Sequence, residues 1–349
     1  MLDNKAGLRY TYTYLILKFM VSLNDLLAQR KCVKLVCGAG NEDPVEVEKL
    51  VAVYAKAGVH FFDLSANADV VKAAQRGIDR VIDKKHRDEY FLNVSVGIKG
   101  DPHVRKAVID LKKCVGCAAC FRACLHMAIK KAIKDGKTKY MVINERCIGC
   151  GLCEKACRFD AISFKHEKKN LNTVLPPLIK LGLAAIELHA ISDDEEEAFK
   201  EWQTITKHFP GILSLCLDRS HLGDVYLINR LKRFIEGRGN YTTIIQADGS
   251  PMSGSNDNYN TTLQTIATAD VVQKANLPVW ILMSGGTNSN TTKLAKMMGV
   301  KAHGVSIGSY ARKIIDPLIQ QDNFLEDKKI FNEAYLIARK LVNKSLRYL

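Results

Sequence analysis

Several signatures that would assign a function at once are missing from this 349-residue chain. It has no Walker loop to wrap phosphates in backbone N–H groups, no Gly-x-Ser-x-Gly elbow to expose a nucleophile, and no C-x3-C-x2-C radical motif. Gly97-Ile-Lys-Gly100 follows a strand-like run but opens no helix, so it is not a dinucleotide fingerprint. No apolar run reaches the roughly 20 residues needed to span a bilayer, and residues 14–23 are interrupted by Lys18. The expectation is a soluble protein. No patch of interleaved arginine and aromatic residues stands out, which argues against nucleic acid. No cleavable signal is legible, so eleven cysteines point to a reducing compartment, the cytoplasm.

The chain is basic, with 51 lysines and arginines against 37 acidic residues, a formal +14. These cations are spread along the sequence, which reads as a solvated surface with room for an acidic redox partner.

Eight cysteines carry the strongest signal. Cys114, Cys117, Cys120 and Cys124, then Cys147, Cys150, Cys153 and Cys157, form two C-x2-C-x2-C-x3-C runs. In two-cluster ferredoxins the fourth cysteine of each run ligates the other cluster. The spacing therefore predicts one [4Fe-4S] cluster on Cys114, Cys117, Cys120 and Cys157, and a second on Cys147, Cys150, Cys153 and Cys124. A zinc or disulfide framework fits one run better than two matched ones. Cys32, Cys37 and Cys216 sit in apolar runs and read as buried small residues. His103 and His126 lie near the runs and read as solvated or hydrogen-bonding groups; Phe121 and Phe159 read as packing that limits solvent access.

Around the cysteines, β-branched runs alternate with helical patterns. Strands are expected at residues 33–37, 60–64, 90–96, 184–188, 212–217, 241–246, 278–283 and 302–307. Helices are expected at 44–57, with Asp43 as cap and Pro44 at the first position, and at 68–83, 171–181 and 193–208. Asp135-Gly136 within residues 132–143 reads as a hairpin turn between the cysteine runs. Eight βα units predict an α/β fold, a TIM-like (β/α)8 barrel with a two-cluster ferredoxin-like α+β domain inserted after strand three. The alternative is a doubly wound parallel sheet plus the ferredoxin domain. The expected division is an N-terminal extension over 1–30, with a plausible start at Met20, strands one to three over 31–102, the insert over 103–166, and the rest of the barrel over 167–349. Ser22 or Asn24 could cap a short helix.

An insert after strand three would overlook the barrel mouth, where barrel active sites lie. Polar residues recur two apart at strand ends: Asp63 and Ser65, Asn93 and Ser95, Glu187 and His189, Gln246 and Asp248. Glu187, His189 and Asp248 are the acid/base candidates should there be catalysis. Ser284, Gly285, Gly286 and Thr287 follow strand seven, and Gly308 and Ser309 follow strand eight. Barrels often hold phosphate between these loops, so FMN or another phosphorylated ligand is expected there. The turn-rich loop 246–255 reads as a lid or a pocket wall.

Lys34-Leu-Val-Cys37-Gly-Ala, Gly100-Asp-Pro-His-Val-Arg105-Lys-Ala, Gln246-Ala-Asp-Gly-Ser-Pro-Met-Ser-Gly254, Ser284-Gly-Gly-Thr-Asn288 and Gly308-Ser-Tyr-Ala-Arg312 occur in this order around the insert. In this the chain resembles the light-dependent period protein family of cyanobacteria (LdpA), over nearly everything after about residue 30. The resemblance implies an iron–sulfur redox sensor rather than a metabolic enzyme, with a redox partner protein and a signalling or clock-type protein partner. It departs where ferredoxin runs usually carry proline after the fourth cysteine; Leu125 and Arg158 stand there. The competing reading is an iron–sulfur flavoenzyme, an oxidoreductase whose clusters feed a barrel-bound cofactor.

Overall fold

The computed structural model describes residues 22–38, 40–97, 105–124, 126–166, 169–190, 194–217, 223–249 and 257–349. Met20, His103 and the loop beyond Gly249 as far as residue 256 lie outside these residues.

Eight parallel strands close into a barrel in which each neighbours the next in sequence, and the last pairs with the first. They are β1 (Cys32–Val36), β2 (Phe61–Ser65), β3 (Phe91–Gly97), β8 (Ala185–His189), β9 (Ile212–Leu217), β10 (Thr243–Asp248), β11 (Trp280–Ser284) and β12 (Gly304–Ile307), with β4 to β7 in the insert. Closure rules out the doubly wound alternative, which would leave two free edges. Several strands run one or two residues beyond the expected ends, because Ser65, His189, Asp248 and Ser284 are still paired with neighbours while their side chains are buried. Polarity at a strand end here marks an interior position, not the start of a loop.

The interior is layered. At the N-terminal end Cys32, Phe61, Ala185, Ile244, Trp280 and Leu282 form an apolar layer with Leu23, Leu26 and Leu27 of the helix Leu23–Ala28. Ser22 caps that helix in a reciprocal box with Asp25. Trp280 ties helix to barrel, donating from Nε1 to Asn24 Oδ1 (3.1 Å) and to Tyr241 O (2.8 Å). Further along seven of the eight strands the interior turns polar: Lys34, Asp63, Asn93, Glu187, Ser214, Gln246 and Ser306, all buried. The outward-facing side chains pack under the surrounding helices as the main core.

The insert leaves the barrel after β3. It has an antiparallel pair, β4 (Arg105–Ile109) with β7 (Ile162–His166), which the sequence reading did not anticipate, and the hairpin β5 (Ile129–Lys134) and β6 (Lys137–Val142). Asp135 (φ 50°) and Gly136 (φ 70°) form its turn, as Asp-Gly predicts. Helices at Leu171–Ile179 and Glu195–His208 are slightly shorter than expected; Asn170 and Asp194 cap them.

Candidate cluster loops and barrel-mouth pocket

The two cysteine runs have the same burial sequence. Cys114 and Cys147 are buried, Cys117 and Cys150 exposed, Cys120 and Cys153 buried, Cys124 and Cys157 intermediate. Their backbones also repeat: Gly116 (φ 78°) and Ala118 (φ 62°) match Gly149 (φ 68°) and Gly151 (φ 81°). Left-handed residues flanking the second cysteine turn the loop around a common centre. A Cβ at Gly116 would lie 2.4 Å from Thr138 O on the hairpin, so only glycine fits there.

Cys124, Cys147, Cys150 and Cys153 line a single cavity, together with Ile148 and Phe164. The fourth cysteine of the first run thus faces the first three of the second. Burial, then the charges of Cys147 and Cys150, pushes the Cys153 thiol up to about 12; burial and the same neighbours raise Cys124. Four thiols gathered around one cavity are the donor set a metal cluster stabilises. Two backbone N–H groups already point at sulfur: Ala107 N to Cys147 Sγ and Ala128 N to Cys124 Sγ, both 3.3 Å. In the other set, burial raises Cys120, with Cys114 and Cys117 adding to it.

The second cysteine loop is bolted to the barrel. Lys106 Nζ donates to Cys147 O (2.8 Å) and to Gly40 O in the loop after β1 (2.6 Å). Arg105 Nε holds Gly149 O at 2.9 Å, Glu42 N donates to Glu145 O at 2.6 Å, and Arg146 pairs with Asp43 at 2.8 Å. Asp43 caps the helix Pro44–Ala57, so its carboxylate joins a barrel helix to the insert.

Beneath that loop lies the barrel mouth. One pocket is lined by Asp63, Glu187, His189, Cys216, Asp248, Ser284, Gly285, Thr287, Ser306, Gly308, Ser309, Arg312 and Ile148, with Val36 and Gly38. Of the residues expected here from sequence, Ser65, Asn93, Ser95, Gln246 and Gly286 are not in the lining. Ile148 lines both this pocket and the cysteine cavity, so one side chain separates them. Phe121 and Phe159, expected to limit solvent access to the loops, are themselves 47% and 46% exposed. His126 is half-buried, and burial, reinforced by Arg312, lowers its pKa to about 3.

Glu187 is the centre of the pocket floor. Lys34 ion-pairs with its Oε2, which also accepts from Ser214 Oγ and Gln246 Nε2, both at 2.8 Å. Its Oε1 lies 3.1 Å from Cys216 Sγ and 3.3 Å from His189 Nε2. Burial alone would raise the Glu187 pKa, but Lys34 and His189 hold it well below the usual range. Asp63 goes the other way, raised chiefly by burial, although Lys34 Nζ is 3.7 Å from Oδ1. Asn93 and Ser95 both donate to Asp63 Oδ1 at 2.5 Å, and Asp63 Oδ2 is buried with no hydrogen-bond partner among the described residues. Glu187, His189 and Cys216 present ligand atoms within 4.8 Å of one another, but the Lys34 ammonium already neutralises the carboxylate.

On the opposite wall Arg312, 9% exposed, donates from Nη1 to Val36 O at 2.8 Å. Thr287 Oγ1 donates to Ser306 O (2.5 Å), tying the loop after β11 to strand β12. Lys34 was not singled out from sequence; its signal is a lone cation in the apolar run Cys32-Val-Lys-Leu-Val36.

Residues 178–344 match the light dependent period A C-terminal domain, and residues 107–164 a 4Fe-4S dicluster domain. The chain carries both domains. It is 29% identical over 307 residues to light dependent period A of Synechococcus elongatus, covering 84% of each chain. The 4Fe-4S domain makes it an iron–sulfur protein, and the resemblance read from its motifs holds. Among solved structures it is similar to the YdjI aldolase from Escherichia coli K12 (TM-score 0.46, 7% identity, covering 95% of this chain and 98% of that one). It is also similar to a truncated 3-deoxy-D-arabino-heptulosonate 7-phosphate synthase from Thermotoga maritima (TM-score 0.44, 10% identity, 89% and 84%). Among the described residues no helix is long and apolar enough to cross a membrane.

Proposed function

We propose that the chain is a redox-sensing iron–sulfur protein with two [4Fe-4S] clusters, one of them next to a ligand pocket in the barrel mouth. Cys114, Cys117, Cys120 and Cys157 would hold one cluster, and Cys147, Cys150, Cys153 and Cys124 the other. The observation that carries the reading is Ile148, shared between the cysteine cavity and the pocket. Bound there, the clusters supply one-electron chemistry. The residues of the chain do the rest: Lys106 and Arg105 fix the second loop, and Ile148 keeps water from bridging the two cavities. A change in the loop has a short path through Gly40 and Gly38 to Arg312. The output is a protein partner, of the signalling kind that the family resemblance implies, in a reducing cytoplasm where the eleven cysteines stay free of disulfides.

A second reading is supported by Arg312, a buried cation among the hydroxyls of Ser284, Thr287 and Ser309. These residues suit the phosphate of FMN or another phosphorylated ligand, with Glu187, His189 or Asp248 as acid/base groups of an oxidoreductase.

Anaerobic purification, iron and sulfide counts, EPR and mass spectrometry of released small molecules test both. About eight iron atoms per chain are expected. Cys124→Ser should disturb the same EPR signal as Cys153→Ser; disturbance of the signal lost in Cys120→Ser instead would sink the ligand assignment. Released flavin would favour the enzyme, and an empty pocket with two reducible clusters the sensor.

A further inference from the structure

Although cations occur throughout the chain, most of its net positive charge falls in the dicluster region. Residues 105–166 contain 14 lysines and arginines against five acidic residues, +9 of the formal +14. Even after two clusters of about −2 each, the region stays cationic. Most of this charge is not used internally. On the β5–β6 hairpin Lys130, Lys131, Lys134 and Lys137 are exposed, and none of the four has an ion pair among the described residues. Asp135 is the one acid in the hairpin.

The tip of the hairpin sits against the first cysteine loop, while Ile129 and Val142 at its base line the cavity of the second. Lys139 Nζ donates to Cys114 O, Gly116 abuts Thr138 O, and the Phe121 ring lies 5.6 Å from that of Tyr140. Large apolar side chains are exposed on and beside the hairpin: Met141 (43%) shares a face with Lys130, Lys134 and Lys137, Ile133 (77%) shares the other with Lys131, and Val115 (58%) and Phe121 (47%) belong to the first cysteine run. Register ties them to the hairpin, with Lys130 opposite Met141 and Ile133 opposite Thr138, the residue against Gly116. Cys117 is exposed beside them, its carbonyl accepting from Arg122 at 3.3 Å.

We propose that this face, the β5–β6 hairpin with the Cys114–Cys120 loop, is the docking surface for an acidic one-electron carrier protein. The inference rests on the reading that this loop holds a cluster. A few apolar contacts within a rim of unpaired lysines match a transient redox interface, in which charge steers the encounter and dissociation stays fast. Nucleic acid is the poorer fit, because the hairpin offers lysines as point charges with no arginine or aromatic platform for bases.

The test uses the full chain, purified anaerobically, with an acidic plant-type [2Fe-2S] ferredoxin as probe in titration calorimetry at about 50 and about 500 mM salt. Binding should weaken at least about tenfold at high salt, and by a similar factor in Lys130→Glu/Lys134→Glu/Lys137→Glu at low salt. A matched reversal on the last helix, Lys328→Glu/Lys329→Glu, should leave it unchanged. Equal weakening in both variants, no salt-sensitive binding by iron-replete protein, or tighter binding of a duplex RNA through the same lysines would each overturn the proposal. Iron is counted on the same samples. Intact binding by iron-poor protein would support the surface while refuting the two-cluster reading.

Discussion

The Lys34 ammonium on β1 reaches across the barrel to the Glu187 carboxylate on β8, and both side chains are buried. Removing one partner leaves the other as an uncompensated buried charge, which costs about 3–5 kcal/mol. Lys34→Met should therefore lower stability in urea by that order, while Lys34→Met/Glu187→Gln should recover much of it. A double variant no more stable than the single one would mean that the pair is not the dominant interaction.

Stability should fall in mild acid, in part through His303. Its Nδ1 accepts from Ile281 N at 2.9 Å, and burial, with a smaller contribution from Arg30, lowers its pKa from 6.5 to about 4. The unfolded chain then binds a proton between pH 6.5 and 4 that the folded chain refuses. The stability is fully present above 6.5 and is lost as pH falls toward 4. His303→Phe should flatten this slope by about 2 kcal/mol relative to the unmodified chain. Parallel unfolding curves for the two across that range would refute the assignment.

Gly116 and Gly136 both have positive φ but differ in surroundings. A Cβ at Gly116 meets Thr138 O at 2.4 Å, whereas nothing lies within 4 Å of one at Gly136. Gly136→Ala should cost only the left-handed strain, about 1 kcal/mol, and retain full iron. Gly116→Ala should push the hairpin off the first cysteine loop and lose that loop's iron. Equal iron contents would show that the contact does not govern the loop.

Lys106 holds Cys147 O and Gly40 O together from a buried position. Lys106→Met leaves both carbonyls without this donor, a cost of about 2–3 kcal/mol. Hydrogen exchange should rise at Glu42 N, whose bond to Glu145 O spans the same junction, with the barrel strands unaffected. Unchanged protection at Glu42 would locate the junction's strength elsewhere.

Much of this molecule is local and therefore legible in one dimension. Cysteine spacing sets which sulfurs a turn can gather, alternation of βα patterns sets the barrel, and Asp135-Gly136 sets a hairpin turn. Strand parity even put Glu187, His189 and Asp248 on one inward face. What spacing does not contain is which inward residues meet across a closed barrel. Lys34 and Glu187 are 153 residues apart, and only closure brings β1 near β8. Arg312, expected merely as part of a motif, becomes a pocket wall because β12 pairs with β1. The β4–β7 pair escaped notice because its strands are short and separated by the whole cysteine region. The sequence by itself determined that eight thiols and a barrel coexist. The tertiary structure decided that Ile148 stands between them, because that contact depends on how Lys106, Arg105 and Arg146 dock one folded unit on another.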